Sequence, residues 1–206
     1  MLLVIGNKNY SSWSLRPWVA MKVHGIAFDE KRILLDRPDT KQEILRHSPA
    51  GKVPCLVDGP LAVWDSLAIL EYLAERHPGL WPADPAERAR ARSVSAEMHA
   101  GFAPLRQHMG LNVRKRYPGR GRTPEVLEDI RRIDAIWSQA KGPFLFGPFT
   151  AADAMYAPVV LRFRTYDVRV SNRDYLEAML ALPAMKEWIE AAEREPESIP
   201  QYDLAE

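Results

Sequence analysis

The chain has little cysteine and no long apolar run, and each absence excludes whole classes of protein. Cys55 is the single cysteine among 206 residues, so an intrachain disulfide framework, a CxxC redox pair and a cysteine-based zinc site are excluded. Nothing approaches the ~20 apolar residues that a membrane span requires, and the apolar run at residues 2–5 is too short for a signal peptide core. We therefore expect a cytoplasmic protein that does not cross a membrane.

Net charge is also nearly absent, with 28 basic against 27 acidic residues, so nothing in the overall balance favours a nucleic-acid partner. The charges are nevertheless uneven, because residues 85–141 hold 12 basic and 6 acidic side chains while residues 142–206 hold 6 and 11. The basic stretch is either a solvated helix face opposite an acidic region or a surface that attracts an anionic ligand to a cleft. The five histidines show no metal-ligand spacing, so we expect no metal site.

The first 76 residues alternate between strand and helix signals. Strands are predicted at 2–5, 28–34, 55–57 and 61–63. Helices are predicted over a segment that contains Pro17 and ends at His24-Gly25, over 41–46 and from Ser66 to about Arg76. Asp58-Gly59 between two apolar runs is a hairpin signal. The order βαβαββα predicts a small mixed sheet covered by helices.

Residues 77–85 break this pattern with three prolines and a glycine, which is typical of a linker. Beyond them the apolar residues recur at helical spacing and no strand pattern is present. We therefore expect a sheet domain over 1–76, a linker over 77–85 and an all-helical domain over 86–206. Pro104 is expected to kink the first of its helices, and the tail after Pro196 is expected to wrap the surface.

The segment Ser11-Ser12-Trp13-Ser14 places hydroxyls at the start of the first helix. A serine there can simply cap the helix. It can also donate to an anion that the free N–H groups and the helix dipole attract.

Two further segments have a plain and a functional interpretation. The Val53-Pro54 bond is either trans at the start of an edge strand or cis, which would expose the main chain of Val53. Ser66 is either the cap of a helix or, with Asp65, a holder for the carboxylate and ammonium of an amino-acid head group.

With these segments in this order, the chain resembles the soluble glutathione transferases over nearly its whole length. SSWSLRP, GKVPCLVDG and DSLAILEYL look like their thioredoxin-like domain, and Thr150-Ala151-Ala152-Asp153 looks like the capping box of their helical domain. It looks most like the zeta-type serine transferases related to maleylacetoacetate isomerase, whose loop reads SSCSWR. Trp13 stands where that loop has its cysteine.

The resemblance implies a site for glutathione as co-substrate. A thiol with a pKa of ~8.5 must be stabilised as thiolate to attack, and the hydroxyl of Ser11 or Ser12 would donate to its sulfur, with Tyr10 as an alternative donor. Val53 beside a cis Pro54 would pair with the cysteinyl main chain of glutathione. Asp65 and Ser66 would hold the γ-glutamyl ammonium and carboxylate. Lys52 either pairs with the glycyl carboxylate or is a solvated surface lysine.

The resemblance also implies a homodimeric enzyme of detoxification that acts on a small electrophile between the two domains. That site would be lined by Arg106, Gln107, His108 and Met109 and by the helix that carries Arg162 and Arg164. These arginines either suit an acidic co-substrate or only face solvent. The alternatives are a non-catalytic glutathione-binding or interaction protein of the same fold, and a glutathione-dependent isomerase. A thiol-disulfide enzyme is disfavoured, because such relatives have a cysteine where this chain has serines.

Overall fold

The computed structural model describes residues 1–203 and contains a four-stranded mixed sheet. Its strands are β1 (Leu2–Ile5), β2 (Asp29–Arg32), β3 (Cys55–Asp58) and β4 (Leu61–Val63), in the spatial order β2-β1-β3-β4. β1 is parallel to β2 and antiparallel to β3, and β3 and β4 form the predicted hairpin. The helices of this half are α1 (Ser12–Val23), α2 (Thr40–Leu45) and α3 (Ser66–Ala74), so the predicted βαβαββα order is confirmed.

The central strand explains why this sheet forms where it does. Leu3, Val4 and Ile5 are each 0% exposed, as expected for a strand that is covered on both faces and therefore has a continuous apolar run. β2 has the charged sequence DEKR and lies at the edge of the sheet. Gly59, with φ +59°, supplies the left-handed residue that the turn between β3 and β4 requires.

Up to residue 203, the second half contains helices only, apart from one isolated bridge. They are α4 (Pro85–Ala100), α5 (Ala103–His108), α6 (Pro124–Trp137), α7 (Ala151–Tyr166), α8 (Arg173–Ala181) and α9 (Pro183–Arg194), and a 3-10 turn (Pro78–Leu80) lies between α3 and α4. α7 is almost wholly buried and packs against both α1 and α4. The predicted capping box is confirmed, because Asp153 accepts from the Thr150 N–H at 2.8 Å.

The expected kink at Pro104 is wrong, because the helix ends instead of bending. α4 stops at Ala100, Phe102 takes a left-handed conformation with φ +59°, and Pro104 lies in the first turn of α5. Proline is tolerated in a first turn because its missing N–H has no helical partner there.

The C-terminal segment lies against the sheet half, where the sequence predicts only that it wraps the surface. The Glu195 carboxylate accepts from the N–H groups of Lys8 and Asn9 at 2.7 and 3.0 Å, and it pairs with Arg32 at 2.9 Å. These contacts hold the loop that leads from β1 into α1. The last three residues of the predicted helical domain, 204–206, lie outside the described residues. Between residues 1 and 203 no helix is both long and apolar enough to cross a membrane.

Candidate glutathione site

A cleft of about 370 Å³ lies between the start of α1, the segment before β3 and the start of α3. It contains all five residues that the sequence predicts for binding glutathione. The lining consists of Trp13, Ala50, Lys52, Val53, Pro54, Trp64, Asp65 and Ser66. Ser11 and Ser12 are not part of this lining and lie directly before Trp13 in the chain.

The two predicted catalytic serines are in different environments. The Ser11 hydroxyl donates to Ser14 Oγ at 2.7 Å, and Ser14 Oγ also accepts from the Gly6 N–H at 3.1 Å. Ser11 occupies the cap position of α1 but makes no capping hydrogen bond with its side chain. Ser12 is the first residue of α1 and its hydroxyl makes no hydrogen bond to any of the described residues, so this hydroxyl is available to a ligand.

Tyr10, the alternative donor, is bound to the C-terminal segment. Its hydroxyl donates to Asp203 at 3.0 Å and accepts from Arg114 at 3.1 Å and from the Ile199 N–H at 3.2 Å. These three partners use its hydrogen-bonding capacity. Tyr10 therefore anchors the tail and has no free proton for a thiol.

The cap of α3 is Asp65, and the plain interpretation of Ser66 as the cap is wrong. Asp65 Oδ1 accepts from the N–H groups of Leu67 and Ala68 at 3.0 and 3.4 Å. The main chain of Asp65 is extended just before the helix, so its carboxylate can accept from the N–H groups of the first helical turn. This leaves the Ser66 hydroxyl to a different partner, the guanidinium of Arg16, at 3.4 Å.

The Val53-Pro54 bond is cis, which is the less frequent of the two alternatives left open by the sequence. β3 begins only at Cys55, and no main-chain hydrogen bond joins Val53 to another of the described residues. Its N–H and C=O can therefore pair with a ligand as a further strand would. Lys52 is exposed beside it.

Arg16 places a buried positive charge under this cleft. It is 1% exposed, and its guanidinium lies 4.2 Å from the centre of the Trp13 ring. Burial, followed by the neighbouring positive charges of Arg106 and Arg162, lowers the pKa of Arg16 well below its ordinary value. A cation in this position stabilises an anion bound near Ser66.

Two further arginines of the helical half lie close to Arg16. Arg106 on α5 stands 4.8 Å from the Trp13 ring, and Arg162 on α7 donates to the Met109 carbonyl at 2.8 Å. Burial lowers the pKa of Arg162 to about 9. The polar partners of all three arginines among the described residues are uncharged: the Ser66 hydroxyl and the carbonyls of Met98, Gly101 and Met109. No carboxylate of residues 1–203 is bonded to this cluster of positive charge.

The predicted electrophile site is only partly assembled. Arg106, Gln107 and His108 are accessible, whereas Met109 is buried. Arg164 lines a separate depression with residues of α8 and α9, because residues two apart on a helix point to opposite sides. Arg162 and Arg164 therefore do not face one cleft.

Sequence reasoning missed two contributors to the site. In the sequence, Trp13 stands out only as a departure from the serine-transferase loop. In the structure it lines the cleft and contacts Arg16 and Arg106. His99 comes from α4 and lies 2.9 Å from the Asp65 carboxylate. No local pattern points to His99, because its partner is distant in the sequence. No group of three or more His, Cys, Asp or Glu side chains is placed to hold a metal ion in the described part of the chain.

Family models identify the chain. Residues 10–76 match the N-terminal domain of glutathione S-transferase and residues 85–191 match its C-terminal domain. The chain therefore belongs to the glutathione S-transferase family, a class of enzymes that use glutathione as co-substrate.

Within this family the chain is zeta-like. It is 29% identical over 168 residues to a probable maleylacetoacetate isomerase of Caenorhabditis elegans, a match that covers 78% of each protein. It is also 29% identical to the maleylacetoacetate isomerase of Rattus norvegicus, over 85% of this chain and 87% of the relative. The crystal structure of a maleylacetoacetate isomerase from Methylobacterium extorquens AM1, with bound malonate and glutathione, superposes with a TM-score of 0.71 at 24% identity. That match covers 95% of this chain and 98% of the other, and it shows that the two share a fold.

Proposed function

We propose that the cleft beside α1 binds glutathione and that Ser12 activates its thiol for attack on a small electrophile. One observation carries the proposal. One cleft is lined by Lys52, Val53, Pro54, Asp65 and Ser66 together with Trp13, and the residue before Trp13 is Ser12, whose hydroxyl bonds to none of the described residues.

Each part of glutathione has a complementary group in this cleft. The free main chain of Val53 pairs with the cysteinyl N–H and C=O, and Lys52 attracts the glycyl carboxylate. Asp65 attracts the γ-glutamyl ammonium, while Ser66 and the buried charge of Arg16 favour the γ-glutamyl carboxylate. This arrangement directs the cysteinyl sulfur towards the start of α1.

The chemistry at the sulfur is stabilisation of the thiolate. Ser12 donates a hydrogen bond to the sulfur, and the helix start and the arginine cluster supply positive potential. The thiol proton is released to solvent, because a serine hydroxyl is too weak a base to take it. The thiolate then forms a carbon–sulfur bond to the electrophile and the leaving group departs with the electron pair.

The electrophile that fits best carries a carboxylate. Arg106, Arg16 and Arg162 form a positively charged cluster whose bonded partners among residues 1–203 are all uncharged, and this cluster would attract an anionic co-substrate. This observation also favours a second candidate function, the glutathione-dependent isomerisation of a carboxylated cis-alkene. There the thiolate adds to the double bond, the single bond rotates, and expulsion of the thiolate regenerates glutathione.

The wider setting is part of the same proposal. Each subunit of a cytoplasmic homodimer consists of a sheet domain over 1–76, a linker over 77–85 and a helical domain over 86–206. Light scattering at micromolar concentration tests the assembly, and a monomer would count against it.

The function is tested with glutathione coupled to a resin and with a neutral aryl halide as electrophile. We expect retention on the resin and conjugation of the halide. Retention without turnover of any electrophile, including maleylacetoacetate, would favour the non-catalytic alternative. No retention and no turnover would contradict the proposal.

A further inference from the structure

His99, on α4 of the helical half, contacts Asp65, the proposed partner of the γ-glutamyl ammonium. Its Nε2 atom lies 2.9 Å from Asp65 Oδ2, while Asp65 Oδ1 caps α3. The imidazole ring also meets the Trp13 ring edge-on, with 5.3 Å between the ring centroids. Its Nδ1 atom is buried and has no partner among residues 1–203. The ring is thus held by one carboxylate oxygen and one aromatic edge.

We propose that His99 is a positioning residue that sets the affinity for glutathione through the charge on Asp65. The inference rests on the proposed function, since it takes Asp65 as the partner of the γ-glutamyl ammonium. A neutral His99 donates its Nε2–H to Asp65 and leaves the carboxylate charge for the ligand. A protonated His99 places a second cation on the same carboxylate.

Asp65 can accept both groups at once, which makes the effect one of affinity and not of steric exclusion. A carboxylate has about four lone-pair positions. Among the described residues, the Asp65 carboxylate is bonded to two N–H groups and the imidazole. The ammonium and the imidazolium would then lie within a few ångströms of each other and repel. Proton uptake by His99 therefore weakens glutathione binding.

Several charged groups on the elements around this pair keep their charge between pH 5 and pH 7. Arginines stay protonated and ordinary carboxylates stay ionised in this range, and burial raises the pKa of Tyr156 far above it. These groups are Arg16 from α1, Glu71 from α3, Arg92 and Glu97 from α4, Arg106 from α5, Arg132 from α6 and Tyr156 from α7.

The test measures the dissociation constant of S-methylglutathione by calorimetry at pH 5 and pH 7. This ligand has no thiol to titrate, its carboxylates are ionised, and its amine stays protonated. In the wild type we expect binding to be about tenfold weaker at pH 5. His99→Gln keeps an N–H donor without a titrating charge, so its affinity should be the same at both pH values and close to that of the wild type at pH 7.

His99→Lys and His77→Gln complete the comparison. The His99→Lys variant carries a permanent charge and should bind S-methylglutathione about tenfold more weakly at both pH values. The His77→Gln variant, changed in the segment between α3 and α4, should show the same loss of affinity at pH 5 as the wild type. If binding by His99→Gln is still about tenfold weaker at pH 5 than at pH 7, or if wild-type binding is equal at both pH values, the inference is overturned and the proposed function stands. No binding of S-methylglutathione to the wild type at pH 7 would overturn both.

Discussion

The hydroxyl of Ser11 is bound 2.7 Å from Ser14 Oγ, inside the loop that leads into α1. Ser14 in turn holds the Gly6 N–H at 3.1 Å, so Ser11 belongs to a hydrogen-bond chain that ties the helix start to the end of β1. The hydroxyl of Ser12, the next residue, bonds to none of residues 1–203. The structure therefore gives the two neighbouring serines different tasks: Ser11 stabilises the loop, and Ser12 is the proposed thiol donor.

Ser11→Ala should reduce stability more than it reduces activity. The variant removes a buried hydrogen bond, which typically contributes about 1 kcal/mol, while Ser12 remains in place. Urea unfolding and steady-state conjugation of an aryl halide measure the two effects. A loss of turnover above tenfold with unchanged stability would show that Ser11 contacts the sulfur.

Tyr10→Phe tests the alternative donor. The tyrosine hydroxyl joins Asp203, Arg114 and the Ile199 N–H, so its removal should lower the free energy of unfolding by about 1–2 kcal/mol. The turnover number at saturating glutathione should stay within about twofold of the wild type. If turnover falls by a hundredfold while the protein stays folded, Tyr10 and not Ser12 acts on the thiol.

Asp65→Asn separates the two roles of this side chain. Asparagine is an equally good helix cap, so the free energy of unfolding should change by less than about 0.5 kcal/mol. The lost charge should raise the KM for glutathione about tenfold with little change in kcat. Asp65→Ala, the matched variant, should lose about 1 kcal/mol of stability in addition. An unchanged KM in the asparagine variant would place the ammonium elsewhere.

Arg106→Gln should distinguish between acidic and neutral electrophiles. The guanidinium stands at the Trp13 ring beside the cleft, and its removal should lower kcat/KM for a carboxylated electrophile about tenfold. Conjugation of a neutral aryl halide by the same variant is the control and should change by less than about threefold. Equal losses for both electrophiles would point to a damaged fold and against recognition of a carboxylate.

The buried carboxylate of Asp153 should make stability depend on pH. Burial raises its pKa to about 6, above the ~3.9 of an unfolded chain. The folded state therefore binds the proton more tightly, and this group's contribution to stability is full below pH 4 and falls as pH rises to about 6, by about 2–3 kcal/mol. Asp153→Asn should lack this fall in urea unfolding series at pH 4 and pH 7. The same slope in both proteins would contradict the assignment.

Much of this fold could be predicted because its signals are local. The apolar run of β1, the Asp58-Gly59 turn and the Thr150 to Asp153 capping box each act within a few residues, and all three are present. The break at Pro104 could not be placed, because a proline that kinks a helix and one that begins a new helix have the same sequence pattern.

The site was less predictable where contacts join distant segments. Whether Ser66 or Asp65 caps α3 depends on main-chain geometry that the sequence leaves open. The contact of His99 with Asp65 and the engagement of Tyr10 by Asp203 depend on how the helical half and the tail fold back onto the first 76 residues. Such long-range contacts have no signature in a single sequence.

The most direct test of the central claim is the pKa of the glutathione thiol when glutathione is bound to the enzyme, measured from the ultraviolet absorbance of the thiolate as pH is varied. The account predicts that the wild type and Ser11→Ala lower it by at least one unit below the ~8.5 of an ordinary thiol, and that Ser12→Ala returns it close to that value. A thiol pKa that is the same in Ser12→Ala as in the wild type would contradict the role proposed for Ser12.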